Sequence, residues 1–136
     1  MAAPKKLREG PVRASQPDFA AVHARLKRIL GKYQTGAFKG TDKPGNYTLI
    51  GPPTEKTKGK PMWLGAVTTQ KNYVSYHFMP VYGCRDLLDD MSLPLKKHMQ
   101  GKACFNFTTI DEPLFKELAA LTECGYRRFK QLKYIE

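Results

Sequence analysis

The chain contains 136 residues, of which 41% are hydrophobic, and its 23 Lys and Arg against 12 Asp and Glu give a formal net charge of +11. This length fits a single domain with its own core, and this composition excludes a wholly disordered chain. No apolar run approaches the roughly 18 residues of a bilayer span, and the first residues lack the apolar stretch of a secretory signal. We therefore expect a soluble, cytoplasmic, basic protein with no membrane partner.

Positive charge is concentrated toward the N-terminus. Residues 1–60 hold 13 basic and four acidic side chains, whereas residues 61–136 hold ten and eight. Residues 1–14 combine basic side chains with Pro and Gly and show no periodicity, which predicts a flexible basic arm. A single domain is expected over residues 15–136.

The first predicted helix follows this arm. Residues 15–18 have the pattern of a capping box, and apolar residues then recur at helical spacing from Phe19 to Tyr33. Residues 36–61 are rich in Gly, Pro, Thr and Lys, which is typical of loops. Within them, the alternating run at 46–50 predicts a short edge strand.

The central feature of the sequence is a predicted hairpin. Two runs rich in aromatic and β-branched residues, 62–69 and 72–79, are separated by Gln70 and Lys71. A two-residue turn would pair them so that one face carries large side chains and the other carries smaller, partly polar ones. We expect the core on the first face, which holds Trp63, Gly65, Val67, Val74, Tyr76 and Phe78. The second face is expected to be open or only partly covered.

The remaining pattern completes the fold prediction. Short helical turns are expected at 86–90 and 93–99, a half-buried strand at 103–108 and a long helix after Asp111. This order favours an α+β fold, with a mostly antiparallel sheet of about four strands and the N- and C-terminal helices packed on one face.

Three stretches carry a family resemblance: 59–67 (Gly-Lys-Pro-Met-Trp-Leu-Gly-Ala-Val), 72–80 (Asn-Tyr-Val-Ser-Tyr-His-Phe-Met-Pro) and 95–107, which is followed by an acidic helix cap. Over roughly residues 17–133 the chain resembles the YdhG-like family, a domain-of-unknown-function group. Some members are described as similar in fold to frataxin, an iron chaperone. The resemblance thus implies a frataxin-like two-layer sandwich, with iron as the alternative cofactor to none. Frataxin binds iron on an acidic ridge, whereas the first helix here carries Arg25, Lys27 and Arg28.

The leading functional hypothesis is a binding module for a protein or small-molecule partner, without catalytic activity. No P-loop, dinucleotide-binding, zinc-protease or nucleophile-elbow motif is present. Ser75 and His77 project to the same strand face but lie too far apart for direct proton transfer. The predicted binding residues, on the less apolar hairpin face, are Leu64, Ala66, Tyr73, Ser75 and His77.

Metal binding is the first alternative. Asp86, Asp89 and Asp90 have the i, i+3, i+4 spacing that would place three carboxylates on one helix face, where they could bind a hard cation or ferrous iron. A solvated acidic turn has the same pattern. Cys84, Cys104 and Cys124 form no C-x-x-C pair and are interpreted as reduced structural thiols.

Weak nucleic-acid association is the second alternative. Basic side chains can contact phosphates, including Lys39 and Lys43 in the loop-rich segment, and Tyr33 or Tyr47 could stack on bases. The residues predicted for this role in the arm and the first helix are Lys5, Lys6, Arg8, Arg13, Arg25, Arg28 and Lys32.

Overall fold

The computed structural model describes residues 18–35 and 38–132, so the predicted basic arm lies outside the described residues. The helices are α1 (Phe19–Gly31), α2 (Met79–Gly83), α3 (Leu93–Lys96) and α4 (Glu112–Gln131), with a 3₁₀ turn at Arg85–Leu88. The strands are β1 (Lys39–Lys43), β2 (Asn46–Gly51), β3 (Met62–Thr69), β4 (Val74–Phe78), β5 (Met99–Gln100) and β6 (Cys104–Phe107). None of the helices in these residues has the length and apolar character to cross a bilayer.

The six strands form one antiparallel sheet in the order β1-β2-β3-β4-β6-β5. The α+β class and the antiparallel sheet are confirmed, whereas the prediction of about four strands is wrong. The two missed strands are the two edges of the sheet. β1 reads Lys-Gly-Thr-Asp-Lys and β5 is only two residues long, so neither has the apolar alternation that identifies a half-buried strand.

Both long helices pack on the same face of the sheet. On α1, the buried residues Val22, Leu26 and Leu30 form one stripe, and Leu30 contacts the sheet at Gly65. On α4, Gly125 lies directly against the ring of Phe78, which is paired with Gly65. The core therefore lies between the sheet and these two helices.

Side-chain caps fix where both helices begin. The Asp18 carboxylate accepts a hydrogen bond from the Ala21 amide at 3.1 Å, and the Asp111 carboxylate accepts one from the Leu114 amide at 3.2 Å. Each carboxylate accepts from an amide that has no partner within the helix. Its negative charge also interacts favourably with the positive end of the helix dipole. The predicted cap at Asp111 is confirmed.

The hairpin register differs by two residues from the prediction, in which a turn at Gln70 and Lys71 pairs Val67 with Val74 and Gly65 with Tyr76. Val67 pairs with Tyr76, and Gly65 pairs with Phe78. The strands end at Thr69 and Val74, and the Gln70 amide donates to the Tyr73 carbonyl at 2.7 Å, so the two residues of the turn are Lys71 and Asn72 rather than Gln70 and Lys71. A shift of two residues preserves the side-chain alternation, so Val67 and Tyr76 still face the core as expected.

A bulge in β3 moves Trp63 to the face opposite the one predicted. Ile50 pairs with Trp63 and Leu49 pairs with Gly65, so Leu64 is an extra residue in the ladder. An extra residue reverses the alternation beyond it. Leu64 is therefore fully buried in the core, while the Trp63 ring lies beside His77 on the other face.

Candidate functional site

We call the sheet face opposite α1 and α4 the open face, because every helical segment within 18–35 and 38–132 packs against the α4 side. Strand pairing arranges its side chains in three rows that cross the sheet. Row one is Lys39, Ile50 and Trp63; row two is Thr41, Thr48, Ala66, His77, Cys104 and Gln100; row three is Lys43, Asn46, Thr68, Ser75 and Asn106. The small side chains of Ala66 and Ser75 are only 6% and 8% exposed and form the floor.

The open face has no carboxylate in any of its three rows. Asp42, in β1, points to the helix side, where it forms an ion pair with Lys27 of α1. Lys39 and Lys43 are exposed at the β1 edge, and the ion pairs of the described residues do not involve them. The local charge of the open face is therefore positive.

On the helix side, several basic side chains lie close to acidic ones. Described ion pairs there join Arg25 to Glu112, Lys32 and Arg127 to Glu123, and Arg128 to Asp86. These pairs are exposed and contribute little to stability. They nevertheless bring opposite charges together and so reduce the local positive potential.

Near the centre of the open face, the His77 ring contacts both the Trp63 ring and the Cys104 sulfur atom. The Trp63 and His77 ring centroids are 5.0 Å apart at an interplanar angle of 53°. Cys104 Sγ lies 2.9 Å from His77 Nδ1 and 3.2 Å from His77 Nε2. Because the two N–H directions of an imidazole diverge, an atom this close to both nitrogens is in line with neither, and the sulfur packs against the ring.

The contact with His77 does not activate the Cys104 thiol as a nucleophile. Burial raises the pKa of the Cys104 thiol, although a hydrogen bond with Ser75 opposes this shift. Burial lowers the pKa of His77. Both shifts favour the neutral thiol and neutral imidazole at pH 7, whereas thiol catalysis requires a thiolate.

The structure brings together three of the five predicted binding residues. Ala66, Ser75 and His77 lie on the open face, and Tyr73 lies half-buried in the connection between β3 and β4. Leu64 was expected on the same face, but the bulge in β3 places it in the core.

The open face also contains residues that sequence reasoning did not select. Trp63 was predicted to be core, and Cys104 was interpreted only as a structural thiol. The alternation of Cys104 and Asn106 with buried Phe105 and Phe107 gave one usable signal, since it places the first pair on the less apolar face of β6.

The predicted metal residues line a groove of about 670 Å³ beside α4. Asp86 lies in the 3₁₀ turn, and both of its carboxylate oxygens accept hydrogen bonds from Arg128, at 2.9 and 2.8 Å. Asp89 and Asp90 follow it along the same groove. Within the ranges 18–35 and 38–132, no group of three or more His, Cys, Asp or Glu side chains is arranged to hold a metal ion. This geometry gives the iron alternative no support.

The residues predicted for nucleic-acid contact on α1 lie on the helix side. Arg25 and Lys32 are in ion pairs, whereas Arg28 is exposed beside a shallow cavity with Pro113 and Lys116. Lys5, Lys6, Arg8 and Arg13 lie outside the described residues. The two tyrosines considered for stacking, Tyr33 and Tyr47, are 7% and 1% exposed and belong to the core, so that interpretation is wrong.

Comparison with protein-family models, with curated proteins and with solved structures found no match to this chain. The resemblance to the YdhG-like family therefore stays a prediction.

Proposed function

We propose that this protein binds single-stranded nucleic acid across the open face and carries out no chemistry of its own. Proteins that bind unpaired strands combine lysines that contact phosphates with aromatic rings on which bases stack. The observation that supports this proposal is the combination of partly exposed Trp63 and His77 with a lysine-lined edge, on a face whose three rows of described strand residues contain no carboxylate.

The shape of the open face favours an unpaired strand over a duplex. Its floor is formed by small side chains, Ala66 and Ser75, and Trp63 and His77 lie beside it. A base whose flat surface is free can stack on these rings, whereas the bases of a duplex are already stacked on one another. A polyanion without free bases would find only the lysines of this surface to bind.

The single tryptophan of the chain makes the proposal directly measurable. Because Trp63 lies on the open face, its fluorescence should be quenched when a base stacks on it. We expect quenching by single-stranded oligonucleotides but not by heparin, which has the charge of a polyanion but no bases. Labelled DNA and RNA strands of one sequence, followed by anisotropy, would give the affinity and the preference between the two sugars.

Substitution at Trp63 tests the stacking contact. Trp63→Ala should weaken single-strand binding by about 5- to 150-fold, which corresponds to the about 1–3 kcal/mol lost when a stacking side chain is truncated. Trp63→Phe should retain part of the affinity, because a phenyl ring can still stack on a base. Retained binding by this variant would show that the fold tolerates substitution at this position. The matched control is Tyr82→Ala, since Tyr82 is an exposed aromatic residue on α2, outside the three rows.

Three results would contradict the proposal. Undetectable binding of single strands at low salt would exclude it. Equal losses for Trp63→Ala and Tyr82→Ala would show that the open face is not the site. Equal affinity for heparin and for oligonucleotides, without quenching, would show that charge alone drives the association, and the predicted protein or small-molecule partner would then become the better explanation of the open face.

A further inference from the structure

The strand geometry points to a direction for the bound chain: we propose that the phosphates of the single strand follow β1, with the bases extending across β2 to Trp63 and His77. This inference rests on the proposed function and adds the path of the ligand. Lys39, Thr41 and Lys43 would be the phosphate-contacting residues.

The three residues form one line along the sheet edge. They alternate with Gly40 and Asp42, which face the helix side, where Gly40 contacts Gln34 and Asp42 contacts Lys27. Side chains two apart in a strand are about 6.6 Å apart, so the line offers three evenly spaced polar groups. An extended single strand has a matching repeat, because its phosphates lie roughly 6–7 Å apart, about twice the axial rise per nucleotide of a stacked strand.

The distance across the sheet also fits a nucleotide. Lys39 pairs with Ile50 and Ile50 pairs with Trp63, so row one runs from the β1 edge to the ring in two strand spacings. Two spacings are about 9–10 Å, which is the order of the distance from a phosphate to the far side of its own base. A phosphate near Lys39 therefore places its base within reach of Trp63.

The salt dependence of binding counts the phosphate contacts. For single strands, the logarithm of the affinity falls with the logarithm of the salt concentration by about 0.7 for each neutralised phosphate. Lys39→Gln and Lys43→Gln should therefore each reduce the loss of affinity between 50 and 200 mM salt by about 2.6-fold. Lys116→Gln, an exposed lysine on α4, is the matched control and should leave this loss unchanged.

A gain of charge gives the sharper test. Thr41→Lys completes a line of three lysines along β1 and should increase the loss of affinity between 50 and 200 mM salt by about 2.6-fold. Ala24→Lys raises the net charge by the same amount at an exposed site on α1. Thr41→Lys should thus strengthen binding at low salt, whereas Ala24→Lys should have at most a small effect.

These measurements separate the path from the proposed function. If Trp63→Ala abolishes binding while the β1 variants behave like their helix-side controls, the open face binds nucleic acid but the phosphates do not follow β1. If Thr41→Lys and Ala24→Lys raise affinity equally, overall charge explains the effect and the path is wrong. If the unaltered protein binds no single strand, the proposed function fails and the path fails with it.

Discussion

Replacing Tyr76 and Thr122, singly and together, tests how the sheet is joined to α4. The Tyr76 hydroxyl lies 2.8 Å from Thr122 Oγ1, and both residues are fully buried. Thr122 Oγ1 also lies 2.8 Å from the Leu118 carbonyl oxygen, which can only accept. Because a hydroxyl carries one proton, Thr122 donates to Leu118 and accepts from Tyr76. Burial raises the pKa of Tyr76, so its hydroxyl keeps the proton that it donates.

This assignment makes the two single variants unequal. Tyr76→Phe removes the donor but leaves Thr122 bonded to Leu118, so it should cost about 0.5–1.5 kcal/mol. Thr122→Val leaves the Tyr76 hydroxyl buried without an acceptor, which should cost about 1–3 kcal/mol. The double variant removes both polar groups and leaves neither unsatisfied. It should therefore be no less stable than Thr122→Val alone, so that the two losses are not additive.

Urea unfolding at pH 7, followed by far-ultraviolet circular dichroism, gives the four free energies of unfolding for the cycle. Thr109→Val, at an exposed threonine outside the helices and strands, controls for the exchange itself. A larger loss for Tyr76→Phe than for Thr122→Val would show that Tyr76 is not the donor. Additive losses would show that the two hydroxyls do not act as a pair.

Three further predictions concern stability. Gly65→Ala should cost about 1–3 kcal/mol in urea unfolding, because its Cβ would lie 2.6 Å from the His77 carbonyl oxygen, and backbone cannot move as a side chain does; an unchanged midpoint would contradict this close approach. Burial lowers the pKa of His23 and His77, so folding favours their neutral form. The stability that these two residues contribute should be complete above pH about 6.5 and be lost as pH falls through their folded-state pKa. Melting curves from pH 8 to 5 test this, and His77→Gln should make the loss of stability with falling pH less steep. Ser92→Ala removes the side-chain cap of α3 and a 2.6 Å hydrogen bond to Glu117. The free energy of unfolding measured in urea should fall by about 1–2 kcal/mol. A change within experimental error would show that neither contact is stabilising.

The parts of the fold predictable from sequence are those in which one side of an element is strongly apolar. Val22, Leu26 and Leu30 repeat at helical spacing, and Phe105 and Phe107 alternate, so α1 and β6 were visible without a structure. β1 has no such pattern. Its position depends on pairing with β2 through the turn at Pro44 and Gly45, whose φ of 73° suits glycine. Pairing of this kind is tertiary information that local periodicity does not contain.

The composition of the open face could be predicted only in part for a related reason. His77 and Ser75 follow from alternation within β4, which survives a register shift of two residues. Trp63 does not, because a single extra residue in β3 exchanges it with Leu64, and the bulge has no clear signature in this sequence. Cys104 joins His77 only because β4 and β6 are neighbours in the sheet although 25 residues separate the two strands in the chain.

The folded charge distribution is the reason why we propose the open face, rather than α1, as the site for an anionic strand. The sequence divides its charge between two halves of the chain, but the structure divides it between two layers. Electrostatic interactions between exposed charges are largely screened beyond about 8 Å at physiological salt, and the helix-layer carboxylates lie on the opposite side of the sheet from Lys39 and Lys43. The carboxylates that lie beside Arg25, Lys32 and Arg128 therefore reduce the potential of the helix layer and have little effect on Lys39 and Lys43. On the proposed function, an anionic strand at the open face would meet Lys39 and Lys43, which take part in none of the ion pairs of the described residues, on the same face as Trp63 and His77.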